Sequence, residues 1–154
     1  MSVPKSVVRI NKKGVQYTSS VDRASYTIVE LTRAAMRDVG KFIARTANSK
    51  AMKLKGLKKS RRVRGRTSTF LYNVPWAKTG LPHLEVGVKH GTWYGEQQEL
   101  GTSNQPKRQI LRNSAYDNIA QIIEIESQYL SALEDEARAL SLISEKEYSG
   151  GGED

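Results

Sequence analysis

The segment from Tyr94 to Arg112 places the strongest constraint on how this chain can fold, because several positional requirements fall within nineteen residues. An aromatic residue and alternating apolar positions predict an extended run over its first half. Gly101 permits a positive φ, and Pro106 fixes φ and removes a backbone donor, so the chain must change direction there. We therefore predict a strand, a forced turn and a helix that begins near Ser114.

An amphipathic helix is predicted in the first third of the chain. From about Asp22 to residue 48 or 49, apolar residues recur at three- and four-residue spacing, which places them on one helical face. Gly40 lies inside this helix and weakens it by about 1 kcal/mol relative to alanine. Its presence indicates a close approach by another part of the backbone.

A second amphipathic helix is predicted near the C-terminus. Ser114 begins a sequence typical of a capping box, and the apolar periodicity continues to Leu140, with a break near Ser127 or Ser131. Five segments have the composition and alternation of β-strands. They are residues 7–10, 15–18, 67–74, 84–88 and 92–100. A turn follows the first of them, and residues 89–91 form a hairpin-like turn before the last.

Together these patterns predict an α+β fold, in which a small, mostly antiparallel β-sheet packs against two amphipathic helices. At 154 residues the chain is long enough for one hydrophobic core. We predict a single domain over residues 1–149, with an N-terminal arm at 1–21 and a long basic loop at 50–66. Residues 150–154 are glycine-rich and acidic, and predict a flexible C-terminal tail.

Charge is distributed very unevenly along the chain. Residues 1–116 hold 23 lysines or arginines and 6 acids, a net charge of +17, whereas residues 117–154 hold 2 and 10, a net charge of −8. No acidic residue lies between Asp38 and Glu85. The basic side chains of the predicted loop are Lys50, Lys53, Lys55, Lys58, Lys59, Arg61, Arg62, Arg64 and Arg66.

Three interpretations of this basic loop stay open. It could contact nucleic-acid phosphates without reading sequence, since lysine and arginine neutralise backbone charge whatever the bases are. It could become ordered against an acidic surface of a partner protein, or it could be a solvated loop with neither role. No aromatic residue lies between Phe42 and Phe70, so the stacking platform of single-strand binders is missing.

Enzymatic and metal chemistry find little support in the sequence. The chain has no cysteine, and His83 and His90 do not have the spacing of a zinc motif. Alternation along the predicted strand puts Glu96 and Glu99 on opposite faces, without a nucleophile fixed nearby. We therefore predict that the protein is not an enzyme and that it binds no cofactor and no metal. We also predict no membrane partner, since no apolar run approaches the ~20 residues that span a bilayer.

The turn segment resembles the neck or tail-completion family of long-tailed phages with non-contractile tails. That family carries a tyrosine, a glutamate, then Gly-Thr, a proline and Leu-Arg before a final helix. The matching residues here are Tyr94, Glu99, Gly101, Thr102, Pro106, Leu111 and Arg112. The resemblance covers roughly residues 84–116.

The resemblance implies a virion structural protein at the head-tail interface, made in the host cytoplasm. Such proteins form a ring, commonly six-fold, between the head-closure or connector protein and the tail tube or tail terminator protein. Double-stranded DNA passes through the ring. For Glu99 and Arg112, a local contact at the helix start and a contact between subunits are both open, and a charge-assisted hydrogen bond could serve either.

Overall fold

The computed structural model describes Pro4 and residues 8–53, 70–75 and 82–149, excluding the side chains of Tyr17, Trp93, Tyr94 and residues 144–149. These residues mix helices with short antiparallel strands, which confirms the α+β class. The elements are β1 (Val8–Lys12), β2 (Val15–Ser19), α1 (Val21–Met52), β3 (Phe70–Asn73), β4 (Glu85–Val88), α2 (Trp93–Leu100), α3 (Ile110–Tyr116), α4 (Ile119–Ala132) and α5 (Glu136–Ser149).

The chain divides into two compact units. One comprises Met1–Ala35 with Ser127–Asp154, and the other comprises Met36–Glu126. The assignment of residues 1–149 to a single domain stays a prediction. The tail at 150–154 lies outside the described residues, as does most of the predicted basic loop.

Strands β1 and β2 form an antiparallel hairpin in the first unit, in register from Val8 opposite Ser19 to Lys12 opposite Val15. The connecting residues Lys13 and Gly14 have φ values of 52° and 79°. Two consecutive positive φ values are typical of a type I′ turn, whose twist matches that of the flanking strands. From Val8 onward, the strands predicted at 7–10 and 15–18 and the turn between them are confirmed. The N-terminal arm at 1–21 stays a prediction.

Helix α1 forms over the predicted residues and extends beyond its predicted end. Leu31, Val39 and Ile43 are buried, as the pattern indicates, whereas Ile28 is exposed. The helix continues through Met52, so Lys50 is helical and does not belong to a loop. The sequence offered no stop signal before this point, since the basic residues that follow are good helix formers.

Gly40 explains how α1 meets the second sheet. A Cβ at this position would lie 2.8 Å from Leu84 Cδ1 and from Tyr72 Cδ2, well inside van der Waals contact. The close approach predicted there is therefore made by side chains and not by another backbone. Glycine allows the helix to lie directly against these two residues.

Strands β3 and β4 form the second antiparallel pair, from Phe70 opposite Val88 to Asn73 opposite Glu85. The side chain of Asn48 in α1 fixes the start of β3. Its Nδ2 donates to the Phe70 carbonyl at 3.0 Å, and its Oδ1 accepts from the Phe70 amide at 3.1 Å. The neighbouring core cluster consists of Ala47, Ala51, Phe70 and Ile110, with Val88 and Leu111 packed against it.

The predicted strand at 92–100 is wrong, and so is the hairpin-like role of the turn before it. Residues Trp93–Leu100 form helix α2. Glutamate, glutamine and leucine are good helix formers, and a short apolar run does not distinguish the two periods. Among the α2 residues whose burial is described, 95–100, the buried ones are Gly95 and Gln98, which stand at a helical spacing of three.

The predicted long C-terminal helix is wrong in its start and in its continuity before Ile119. Three helices replace it, interrupted at residues 117–118 and 133–135. The second break begins two residues after Ser131, where a break was predicted, and the first was not predicted. Ser114 does not cap a helix, because its hydroxyl donates to the Ile110 carbonyl one turn earlier at 2.7 Å. At the start of α5, Asp135 Oδ1 accepts from the amide of Ala137 at 3.0 Å, as a capping aspartate does.

Candidate functional site

The motif residues assemble into a compact corner, which we call the α2–α3 corner and define as residues 93–117. Helix α2 ends at Leu100, a turn follows, and α3 begins at Ile110. The amide of Gly101 donates to the Gln97 carbonyl at 2.8 Å, and Gly101 adopts a φ of 78°. The positive φ predicted for this glycine is confirmed, and it terminates α2.

The turn folds back onto the end of α2. Thr102 and Gln105 pair in an isolated antiparallel bridge, with N–H to O distances of 2.9 and 3.2 Å. The Arg108 amide then donates to the Gln98 carbonyl at 3.0 Å. Because this return places Lys107 against Gly101, a Cβ on the glycine would lie 2.9 Å from the Lys107 nitrogen. The close contact is with backbone and cannot be relieved by a rotamer change.

Glu99 joins the two helices. Its Oε2 accepts from the Leu111 amide at 2.9 Å and its Oε1 accepts from the Arg112 amide at 3.1 Å. Both amides belong to the first turn of α3, where backbone donors have no intrahelical partner. The carboxylate therefore caps α3 from another helix, and its negative charge complements the positive end of the helix dipole.

Lys50 caps the opposite end of the same helix. Its Nζ donates to the Asn113 carbonyl at 3.2 Å and to Asp117 Oδ2 at 2.8 Å. A cation at this end matches the negative pole of the dipole. Helix α3 has only seven residues, too few to be stable alone in water. Residues from α1 and α2 therefore satisfy both of its ends.

The buried side of α3 anchors the corner to the core, and its other side is open. Ile110 and Ser114 are buried, and Leu111 packs against the core cluster. Arg112 is exposed, and its guanidinium carbon lies 5.4 Å from the centre of the Tyr116 ring, within reach of a cation–π contact. The exposed face thus presents a cation on an aromatic ring.

Each residue of the family motif has a place in this corner. Glu99 contacts the backbone amide of Arg112 and not its guanidinium, so the local contact expected between these two positions forms through the main chain. Thr102 and Pro106 are exposed in the turn. Tyr94 lies in the second position of α2, and its side chain is outside the described residues.

The basic segment is only partly within the described residues. Lys50 belongs to α1 and is bound to α3, which gives it a structural role instead of a place in a mobile loop. Lys53 is exposed in the turn that ends α1. The positions outside the described residues are Lys55, Lys58, Lys59, Arg61, Arg62, Arg64 and Arg66.

A cavity of about 320 Å³ lies in the first unit. Its lining includes Arg23, Thr27, Ile28, Leu133 and Glu136. Arg23 Nε lies 2.8 Å from Glu136 Oε1, and Arg23 Nη1 donates to the Pro4 carbonyl at 2.8 Å. Among the described lining residues, the two charged side chains are thus paired with each other, and Arg23 is also bound to the backbone.

The residues with described positions contain neither a cluster of metal ligands nor a helix that could span a membrane. Within them, no group of three or more histidine, aspartate or glutamate side chains is placed to hold a metal ion. Over the same part of the chain, no helix combines the length and apolarity required to cross a bilayer. His83 instead contacts Glu85, with Nε2 and Oε1 at 3.2 Å.

Two long-range contacts have no counterpart in the local sequence, one at the corner and one at the start of β3. Lys50 and Asp117 are 67 positions apart, and Asn48 reaches Phe70 across 22 positions. Neither pair has a local signature. The charge contrast between a basic first part and an acidic last part was the only signal that pointed toward pairs such as Lys50 with Asp117.

No family model matches this chain, and neither a curated protein nor a solved structure shows significant similarity to it.

Proposed function

We propose that this chain is a structural protein of a phage virion, located at the neck between the DNA-filled head and the tail. The observation that carries the proposal is the α2–α3 corner, because the motif that resembles tail-completion proteins coincides with one cross-braced structural element. Glu99 and Gly101 each have a backbone role there. Thr102 and Pro106 in the turn and Arg112 at the start of α3 are exposed and available to a neighbouring protein.

In the proposed assembly, copies of the chain form a closed ring, six-fold by the resemblance, around the DNA channel. Its neighbours are the head-closure or connector protein on one side and the tail tube or tail terminator protein on the other. The net charge of +17 over residues 1–116 supports a lumen or loop that tolerates DNA of any sequence.

The run of like charges favours one alternative of a different class. Residues 53–66 hold eight basic side chains and no acid. A free nucleic-acid-binding protein would use this segment as a monomer, without a virion partner. Mass in solution and presence in purified virions distinguish the two functions, since only the neck protein is a stoichiometric component of the particle.

A nonsense mutant of the phage that encodes this chain tests the proposal. We expect lysates without the protein to contain DNA-filled heads and separate, complete tails, because joining fails while each part still assembles. Supplying the wild-type chain should restore joined particles, scored by electron microscopy. Joined virions at normal yield without the protein, or purified virions that lack it, would refute the neck assignment.

A further inference from the structure

The β1–β2 hairpin leaves an apolar face uncovered. Direct pairing across the hairpin puts Val8, Ile10, Lys12 and Val15 on one face, and Arg9 and Gln16 on the other. Ile10 and Val15 are 52% and 50% exposed. Among the residues with described positions, β1 and β2 pair with each other and with no third strand. A two-stranded hairpin with an open apolar face is marginally stable in water.

The charged residues of this hairpin and of the chain around it are all basic. Residues 1–21 contain Lys5, Arg9, Lys12 and Lys13 and no acid. Lys12 and Lys13 stand exposed at the turn, and within the described part of the chain they take part in none of the ion pairs. A partner surface for this hairpin must therefore offer both apolar area and negative charge.

Helix α4 presents a surface with these two properties. Ile119 and Ile123 are one turn apart on the same face and are 49% and 57% exposed. Glu126 is exposed and follows three residues later, next to Ile123 on that face. The helix contains no basic residue over its whole length. Its apolar and acidic positions complement the apolar and basic positions of the hairpin.

We propose that the apolar face of the β1–β2 hairpin of one copy docks on the Ile119, Ile123 and Glu126 face of α4 in a second copy. Lys12 then faces Glu126, and the isoleucines bury against each other. Duplex DNA fits the hairpin less well, because its phosphates offer nothing to Ile10 or Val15. The two surfaces differ, so the contact is heterologous and repeats from copy to copy until a ring closes. This inference rests on the proposed function for the closure of that ring.

Sedimentation of the full chain tests the contact. At about 100 µM the wild type should form complexes larger than a monomer, and Ile10→Asp or Ile123→Asp should each weaken association about tenfold or more. Matched controls are Gln16→Asp on the other hairpin face and Gln121→Asp on another face of α4, which should associate like the wild type. Both positions are exposed.

Mixing the two deficient variants is the sharpest measurement. The Ile123→Asp chain keeps an intact hairpin and the Ile10→Asp chain keeps an intact α4, so together they retain one working contact. We expect a complex with one copy of each, although each variant alone is monomeric. As a second route that preserves the apolar residues, Lys12→Glu or Glu126→Lys should weaken association, and both changes in one chain should restore it.

A monomeric wild type, association unchanged by Ile10→Asp, or a mixture that forms no complex would each overturn the inference. Loss of DNA binding in Ile10→Asp with unchanged association would also overturn it, and would assign the hairpin to DNA. Virion composition separates the two proposals. A monomeric protein that is found in the neck would reject only this contact, whereas an associating protein absent from virions would reject only the neck assignment.

Discussion

At the level of single residues, Gly101 and Glu99 determine the path of the chain through the α2–α3 corner. Gly101 has a φ of 78° and a ψ of 166°, a backbone region open mainly to glycine, and it has the backbone of Lys107 directly beside it. Glu99 supplies two acceptors to amides that would otherwise lack partners. Gly101 sets the direction of the turn, and Glu99 fixes where the following helix begins.

Alanine at position 101 should destabilise the protein more than alanine at Gly91. Both glycines have a positive φ, and each substitution should cost about 1 kcal/mol from that strain. Only Gly101 has a neighbour at 2.9 Å from the added Cβ, whereas Gly91 has none within 4 Å. Chemical denaturation of Gly101→Ala and Gly91→Ala measures the difference. Equal losses would show that the turn relaxes around the methyl group.

Removal of the Glu99 carboxylate should cost about 1 kcal/mol, the magnitude of a lost helix cap. Glu99→Gln should lose less than Glu99→Ala, because the amide keeps one carbonyl acceptor. Glu96→Ala is the matched control, since Glu96 is exposed on the same helix and should change the free energy of unfolding by only a few tenths of 1 kcal/mol. Similar losses for Glu99→Ala and Glu96→Ala would argue against the cap.

At the level of elements, α3 shows how a short helix is held by its neighbours. Its ends are bound by a carboxylate from α2 and an ammonium from α1, and Ile110 on its inner side enters the core cluster. Most helical stability in proteins comes from such tertiary contacts rather than from intrinsic propensity. The stability of the α2–α3 corner therefore depends on α1, and a substitution in α1 that removes one of these contacts should destabilise the corner.

Lys50→Met tests this coupling, because methionine keeps an apolar stem and removes the charge. Both Lys50 and Asp117 are partly exposed, so solvent screening limits the expected loss to about 0.5 kcal/mol. A double-mutant cycle with Asp117→Asn should give a positive coupling energy that falls as salt is added. Lys53→Met, in the exposed turn after α1, should show none. A coupling energy of zero would mean that the Lys50–Asp117 ion pair does not contribute to stability although the two groups lie close together.

At the level of the whole molecule, charge separation and surface apolarity support the assembly that we propose. The basic part and the acidic part of the sequence lie on opposite sides of residue 116, with net charges of +17 and −8. Complementary charge on one chain favours contacts between copies and accelerates their encounter. The same positive charge also favours DNA binding. Experiments must therefore distinguish contacts with protein from contacts with nucleic acid.

Neutralising Lys58, Lys59, Arg61 and Arg62 to glutamine separates these contacts. If the segment binds DNA, affinity for any duplex should fall, and the dependence of the binding constant on salt should become shallower by up to about 0.9 logarithmic units per lost phosphate contact. Association between copies should be unchanged. Fluorescence anisotropy over a salt series measures the first and sedimentation the second. Lost association with unchanged DNA binding would assign the segment to protein contacts.

Local sequence determined the features that depend on a few neighbouring residues. The left-handed φ of Gly101, the tight turn at Lys13 and Gly14, and the buried face of α1 all follow from conformational limits and periodicity within one or two turns of chain. The α+β class follows from the same local patterns. None of these required knowledge of what lies nearby in space.

Tertiary contacts decided the rest. Residues 93–100 form a helix although their pattern suggested a strand, and α3 begins at Ile110 because Glu99, eleven positions earlier in the chain, accepts its first amides. The neighbours of Gly40 and the partner of Lys50 come from distant positions. Such contacts leave no periodic signal, since the free energy of a cap or a close approach depends on where the fold places the partner.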